Sequence, residues 1–298
     1  MGGAAVVSSA AGGGYHWLRK CAEVARREPI AIHHQIQNSE IPPEFNGAKV
    51  FFISDFHFCR KKPFGQKLRT AASFENTLAD IRDEISENDL LVLGGDFVAY
   101  PHFDAARDLP EVEEFLDEIK KFPQQKFALF GNHEWEYGAE TVEQIGEFLT
   151  AAGCEVLRDE SRIWKSGAAE LPIFGTKDWR FGGMEIEKVQ KFVAEHREQF
   201  KIIFTHNPDW VQNFLRKLEL KNTEIQAGHT HGGQFSNWLI SKLALAQAKY
   251  KSELISGRYK LRDEVDLIIS NGAGASLPFR QEARRPDYLI TELRRSEI

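Results

Sequence analysis

The sequence predicts a layered α/β sandwich built on two sheets, and three features carry that prediction. Short apolar runs, each closed by glycine or polar residues, recur through the chain. Amphipathic stretches of helical length separate the earlier runs, which is the pattern of a βαβ series. The later runs follow one another without helices between them, so they require strands of a second sheet.

Taken in chain order, Met1 to Gly14 is rich in Gly, Ala and Ser and is expected to be disordered. It has no basic start, and its apolar run is too short for a signal peptide or a membrane span. Tyr15–Arg27 suits a short helix with Trp17, Leu18, Cys21, Val24 and Ala25 on one side. Arg19, Lys20, Arg26 and Arg27 lie mostly opposite, so the helix either packs on the domain edge or makes a peripheral membrane contact. Ile30–Gln37 alternates like an edge strand. Strands are then expected at Val50–Ile53, Leu90–Leu93, Phe127–Phe130, Ile202–Phe204 and Ile225–Ala227. Helices fall among them at Leu68–Glu84, Pro110–Lys121, Ala139–Ala152, Met184–His196 and Pro208–Leu218, the last opened by Asn207-Pro208 as cap and first residue. Shorter strands are expected at Glu155–Leu157, Ile163–Trp164, Ile173–Gly175, Val265–Ile269 and Tyr288–Leu293. No linker or repeat interrupts residues 15–298, so one domain is expected there.

The 42% hydrophobic content is enough for a substantial core. Net charge is 38 − 44 = −6, which argues against a general nucleic-acid binder. Cys21, Cys59 and Cys154 are odd in number and widely spaced, so they give no disulfide framework and fit a reducing, cytoplasmic location.

Chemistry concentrates in five short motifs: Asp55-Phe-His57, Gly95-Asp96, Gly131-Asn132-His133-Glu134, His206-Asn207 and Gly228-His229-Thr230-His231. Most follow an apolar run by one or two residues, and side chains just beyond strand ends converge on one rim of an α/β sheet. Asp55 and His57 can grip one ion from a loop, and the two oxygens of Asp96 can bridge two. Asn132 adds a neutral oxygen, and His229 and His231 bring two imidazoles to the same cluster. Mixed Asp, His and Asn ligation suits borderline divalent ions such as Mn, Fe or Zn more than Ca or Mg. Two such ions roughly 3.5–4 Å apart share a hydroxide at neutral pH and make it a nucleophile toward phosphorus. His16, His33, His34, His102 and His196 lack comparable surroundings. Arg60, with Lys61 and Lys62, and Arg280 beside a glycine-rich loop are candidate phosphate contacts, each competing with a plain solvated charge. Ser236 to Lys251 sets Trp238, Leu239, Ile240, Leu243 and Leu245 among lysines, either a buried helix or an acyl-chain contact.

In order and spacing these motifs resemble the calcineurin-like metallophosphoesterase superfamily, over about Lys49 to Leu293. The resemblance implies a four-layer α/β/β/α sandwich and a dinuclear centre, with manganese the first expectation. It also implies that Asp55, His57, Asp96 and His231 hold one metal and that Asp96, Asn132, His206 and His229 hold the other. His133 would be the catalytic histidine. Gly228 to Gln234, His206-Asn-Pro-Asp209 and Asn271 to Arg280 resemble a bacterial phosphodiesterase branch that includes hydrolases of UDP-2,3-diacylglucosamine, a lipid A precursor. That likeness implies a nucleotide-linked lipid as substrate and a contact at the inner face of the membrane. The alternatives are a broad phosphodiesterase on small soluble diesters and a non-catalytic metal-binding scaffold. Protein serine/threonine phosphatases fit less well, because Phe97 to Pro101 stands where they carry Asp-Arg-Gly. Glu134 departs from the Asp more usual after Gly-Asn-His in the bacterial branch, which opens the question of what orients His133.

Overall fold

A computed structural model of the chain describes residues 16–60, 69–99, 101–234, 254–274 and 279–297. The expected disordered start, Lys61, Lys62 and the Ser236–Lys251 segment lie outside the described residues. Helix α1 covers residues 16–24. The first sheet takes β1 (Ile30–Asn38), β2 (Lys49–Ile53), β3 (Leu90–Leu93), β4 (Gln125–Ala128), β5 (Glu155–Val156) and β12 (Asp287–Arg295), in the order β1-β12-β2-β3-β4-β5. The second takes β6 (Glu160–Ser166), β7 (Ala169–Gly175), β8 (Lys201–Thr205), β9 (Thr223–Ala227), β10 (Gly257–Arg262) and β11 (Val265–Ile269), in the order β10-β11-β9-β8-β7-β6. Strands β2 to β5 run parallel, as do β7, β8, β9 and β11, so each sheet presents several strand C-termini along one edge.

The strand sequences explain the layering. Alternate residues of a strand face opposite sides, and these strands are apolar on both. Phe51, Ile53, Leu91 and Leu93 face outward onto helices α2 (Glu75–Glu84), α3 (Ala105–Lys120) and α5 (Ala139–Ala151), meeting Leu78, Ile81, Phe115 and Ile145. Val50, Phe52, Leu90 and Val92 face inward, against Ile202 and Phe204 of the second sheet. The rings of Phe52 and Phe204 stack across the gap at 6.2 Å. Ile203, Ile225 and Leu267 face the far side, under α6 (Ile186–Glu195) and α7 (Asp209–Phe214). Three apolar layers between four structural layers give the α/β/β/α sandwich that the motifs implied. Three buried polar side chains interrupt the middle layer: Gln226 donates to Glu224 beside it and to the Thr291 hydroxyl of the facing sheet (3.1 Å).

Several elements differ from expectation. Helix α3 begins at Ala105 rather than Pro110, because Asp104 caps it by accepting from the Arg107 N–H, and Pro110 lies inside. Helix α7 ends at Phe214, short of Leu218. A short helix α4, Asn132–Glu136, forms within the Gly-Asn-His-Glu motif. Strand β10 was not expected, since its alternation is of half-buried with charged residues.

Candidate metal centre

The rim holds what the motifs supply. Asp55 and His57 follow β2, Asp96 follows β3, Asn132 and His133 open α4 just after β4, His206 follows β8, and His229 and His231 follow β9. Three groups of donor atoms come together there: Asp55, His57 and His231; His57, Asp96 and His133; Asp96, His206 and His229, each with its donor atoms mutually within 4.8 Å. His57 Nε2 and His231 Nε2 are 2.9 Å apart, and His231 Nε2 is 3.5 Å from Asp55 Oδ1. Asp96 Oδ2 lies 3.9 Å from His57 Nε2, 3.3 Å from His206 Nε2 and 3.8 Å from His133 Nδ1, so it stands between the groups.

The backbone is bent to make this arrangement. Asp55, His57, Asp96, His229 and His231 all have positive φ, from 50° to 70°. That region is uncommon for residues with a Cβ and costs on the order of 1 kcal/mol each. Close approach of the loops also depends on glycine. A Cβ on Gly131 would lie 2.0 Å from Asp96 Oδ1, and one on Gly228 would lie 2.5 Å from Asp55 Oδ2.

The neighbours fix each donor's orientation. Ser54 Oγ and the His229 N–H donate to the Asp55 carboxylate at 2.6 and 3.1 Å. His206 Nδ1 donates to the Gly94 carbonyl (2.8 Å), which turns Nε2 inward. Asn132 Nδ2 is taken by Glu136 (3.3 Å). Asn132 Oδ1 is buried without a hydrogen-bond partner, and unpaired buried acceptors are rare in folded proteins. A cation would supply the missing partner, so this oxygen fits a metal centre.

Charge follows the same logic. Burial pushes Asp96 up, but the imidazoles of His133 and His206 outweigh it and hold the carboxyl well below its usual range. Burial works against His206 too, yet Asp96, Asp55 and Asp178 raise it to about 10. These carboxylates therefore draw positive charge into the centre. Burial, reinforced by His133, lowers His57 to about 3. His229 and His231 also fall well below their ordinary value through burial, so the three rings are neutral, the form in which imidazole ligates.

His133 donates through its backbone N–H to Asp96 Oδ1 (3.0 Å), and its Nδ1 meets the Val98 carbonyl (3.0 Å). That carbonyl answers the question of what orients the ring. The two expected substrate contacts are placed differently from one another. Arg60 is half exposed, with its backbone N–H on Asp108 and its guanidinium 3.2 Å from Glu111. Arg280 is fully buried, and its Nη2 donates to His231 Nδ1 (2.5 Å) and to the Asn271 carbonyl (2.7 Å). The glycine-rich loop beside it packs on the end of β2, with the Ala273 and Gly274 N–H groups on the carbonyls of Ser54 and Asp55. Asp287 holds that loop through Ser270 and Asn271, a role that a strand-start aspartate did not announce in the sequence.

Residues 48–270 match the family model for calcineurin-like phosphoesterases, and the chain belongs to that family. It is a metal-dependent phosphoesterase with a divalent metal centre. It is 26% identical to an uncharacterized metallophosphoesterase of Aquifex aeolicus over 221 residues, 71% of this chain and 75% of that one. It is also 26% identical to the uncharacterized metallophosphoesterase YkuE of Bacillus subtilis over 243 residues, 78% of this chain and 74% of the relative. A solved dimetal phosphatase from Danio rerio is similar at a TM-score of 0.49 and 14% identity, over 80% of this chain and 94% of that one.

Proposed function

We propose that Asp55, His57, Asp96 and His231 hold one divalent cation and that Asp96, Asn132, His206 and His229 hold a second. The observation that carries this reading is the overlap of the donor groups at Asp96, whose Oδ2 lies 3.9 Å from His57 Nε2 on one side and 3.3 Å from His206 Nε2 on the other. Manganese suits the mixed oxygen and nitrogen donors. When bound, such a pair supplies Lewis-acid charge and activates water. The chain's own part is to orient and to move a proton. Asp96 fixes the His133 backbone, Val98 takes the ring's Nδ1–H, and proton exchange with the leaving oxygen of a phosphoester falls to Nε2.

For substrate, the proposal is a nucleotide-linked lipid such as UDP-2,3-diacylglucosamine. One observation favours it over small soluble diesters. Trp17 and Leu18 of α1 are exposed, and they share the helix region with Arg19, Lys20, Arg26 and Arg27. The same helix is tied to the centre, since the Cys21 carbonyl accepts from the backbone N–H of Arg280 (2.9 Å). An apolar and basic helix anchored behind the site suits a peripheral contact with an anionic bilayer. Among the described residues no helix is long and apolar enough to cross a membrane. The test is mass spectrometry on Mn-loaded protein with UDP-2,3-diacylglucosamine and bis(4-nitrophenyl) phosphate in parallel. Fast release of UMP supports the lipid substrate. Turnover of the aryl diester alone discards it and keeps the chemistry.

A further inference from the structure

Glu134 is fully buried beside His133, and its carboxylate accepts from three backbone N–H groups. Gly131 donates to Oε2 at 2.8 Å, Asp96 donates to Oε2 at 3.1 Å, and Val98 donates to Oε1 at 3.1 Å. The first donor belongs to the start of α4, and the other two belong to the turn after β3. One side chain therefore fastens together the two loops that carry Asp96 and His133.

The fastening reaches the reactive groups at two points. Val98 is held at both ends, its N–H by Glu134 and its carbonyl by His133 Nδ1 (3.0 Å). Asp96 is held through its N–H, and its Oδ1 in turn accepts from the His133 backbone (3.0 Å). A carbonyl at Nδ1 requires a proton there, because an oxygen without a proton cannot donate. The neutral Nδ1–H tautomer leaves Nε2 to accept a proton, and the imidazolium that results carries on Nε2 the proton given to the leaving oxygen.

We propose that Glu134 is a positioning residue for His133, fixing the Val98 carbonyl and through it the tautomer and aim of the ring. This rests on His133 being the proton donor under Proposed function. Glu134→Gln keeps the shape but leaves one amide NH₂ facing an N–H donor, so at least one of the three contacts is lost. The expected result is a 30- to 100-fold lower kcat with KM within about twofold and bound metal retained, magnitudes in line with loss of general-acid orientation. In a His133→Ala background the same change lowers kcat less than about threefold, since residues that act as a unit are not additive. Losses that multiply in the double variant, or Glu134→Gln protein that has lost its metal, overturn the proposal. Nitrogen-15 NMR of the wild-type imidazoles gives a readout that does not depend on a variant folding. His133 with its proton on Nδ1 is expected, and a His133 protonated on Nε2 alone overturns it. If His133→Ala by itself leaves turnover unchanged, the proton-donor reading fails instead, and the two failures are thereby distinguished.

Discussion

Gly131→Ala tests the bridging role proposed for Asp96. Gly131 has φ −89° and ψ −174°, a conformation open to any residue, so the substitution carries no backbone strain. Its whole effect is the new methyl carbon, which would lie 2.0 Å from Asp96 Oδ1 and 2.5 Å from Asp96 N. Real contacts of this kind do not fall below 3.0 Å, so the Asp96 carboxylate and the start of α4 must separate by about 1 Å. Metal–ligand distances hold only to within about 0.2 Å, so a carboxylate displaced that far would no longer serve the two cations proposed for it. Misplacement of about 1 Å costs roughly 100-fold in rate, equivalent to about 2.7 kcal/mol. The fold suffers less. Overpacking costs about 1–3 kcal/mol, partly offset by about 0.4–1 kcal/mol from a stiffer unfolded chain. For 298 residues a net loss of about 1–2 kcal/mol lowers Tm by roughly 2–3 °C. The variant is therefore expected to stay folded at 25 °C while losing about 100-fold in diester hydrolysis and at least one metal equivalent. The assays are circular dichroism melting, metal analysis by mass spectrometry and a p-nitrophenol release rate. Gly131→Ala protein that keeps both cations and hydrolyses within threefold of wild type would refute the bridging role of Asp96.

Three further outcomes are expected. His133→Ala lowers turnover on the order of 10²–10⁴-fold, with both cations still bound, checked by rate and metal content together. Glu224, buried between the sheets, is pushed by burial from 4.5 up to about 7. A carboxyl with a raised folded-state value is fully accommodated below 4.5, and its contribution is lost as pH rises through 7. Glu224→Gln therefore stabilises the fold by up to about 3 kcal/mol at pH 8 and by little at pH 4.5, read from urea unfolding at the two pH values. Finally, cation at 1,000 times its Kd adds about 4 kcal/mol to stability, so chelation of a tightly loaded protein lowers Tm by about 6 °C, and Asp96→Asn removes most of that difference.

Much of the fold was legible because the signal is local. The runs Val50–Ile53, Leu90–Leu93 and Ile202–Phe204 are apolar at every position, and only strands buried on both faces tolerate that. Most of the ligand candidates follow such a run by one or two residues, and the structure brings Asp55, His57, Asp96, His206, His229 and His231 together with His133 at one rim. What escaped the sequence depends on distant contacts. Arg280 after a glycine-rich loop reads as a phosphate contact or a solvated charge, and only its meeting with His231, Asn271 and Cys21 takes it inside. Glu134 reads as a deviation in a motif, although it joins loops 36 to 38 residues apart in sequence. The positive φ angles of five candidate ligands carry no sequence mark, since Asp and His give no such warning in the way that glycine does. The early start of α3 was hidden because Pro110 reads as a first helical residue, whereas the Asp104 cap six residues earlier sets the start.

The most direct test of the dinuclear centre is a titration of metal-free protein with Mn, following bound metal per chain and aryl diester hydrolysis in the same samples. Two equivalents bound, with activity rising as the second fills, is the expected result. Full activity with one equivalent or with none would contradict a reaction that depends on a cation pair bridged by Asp96.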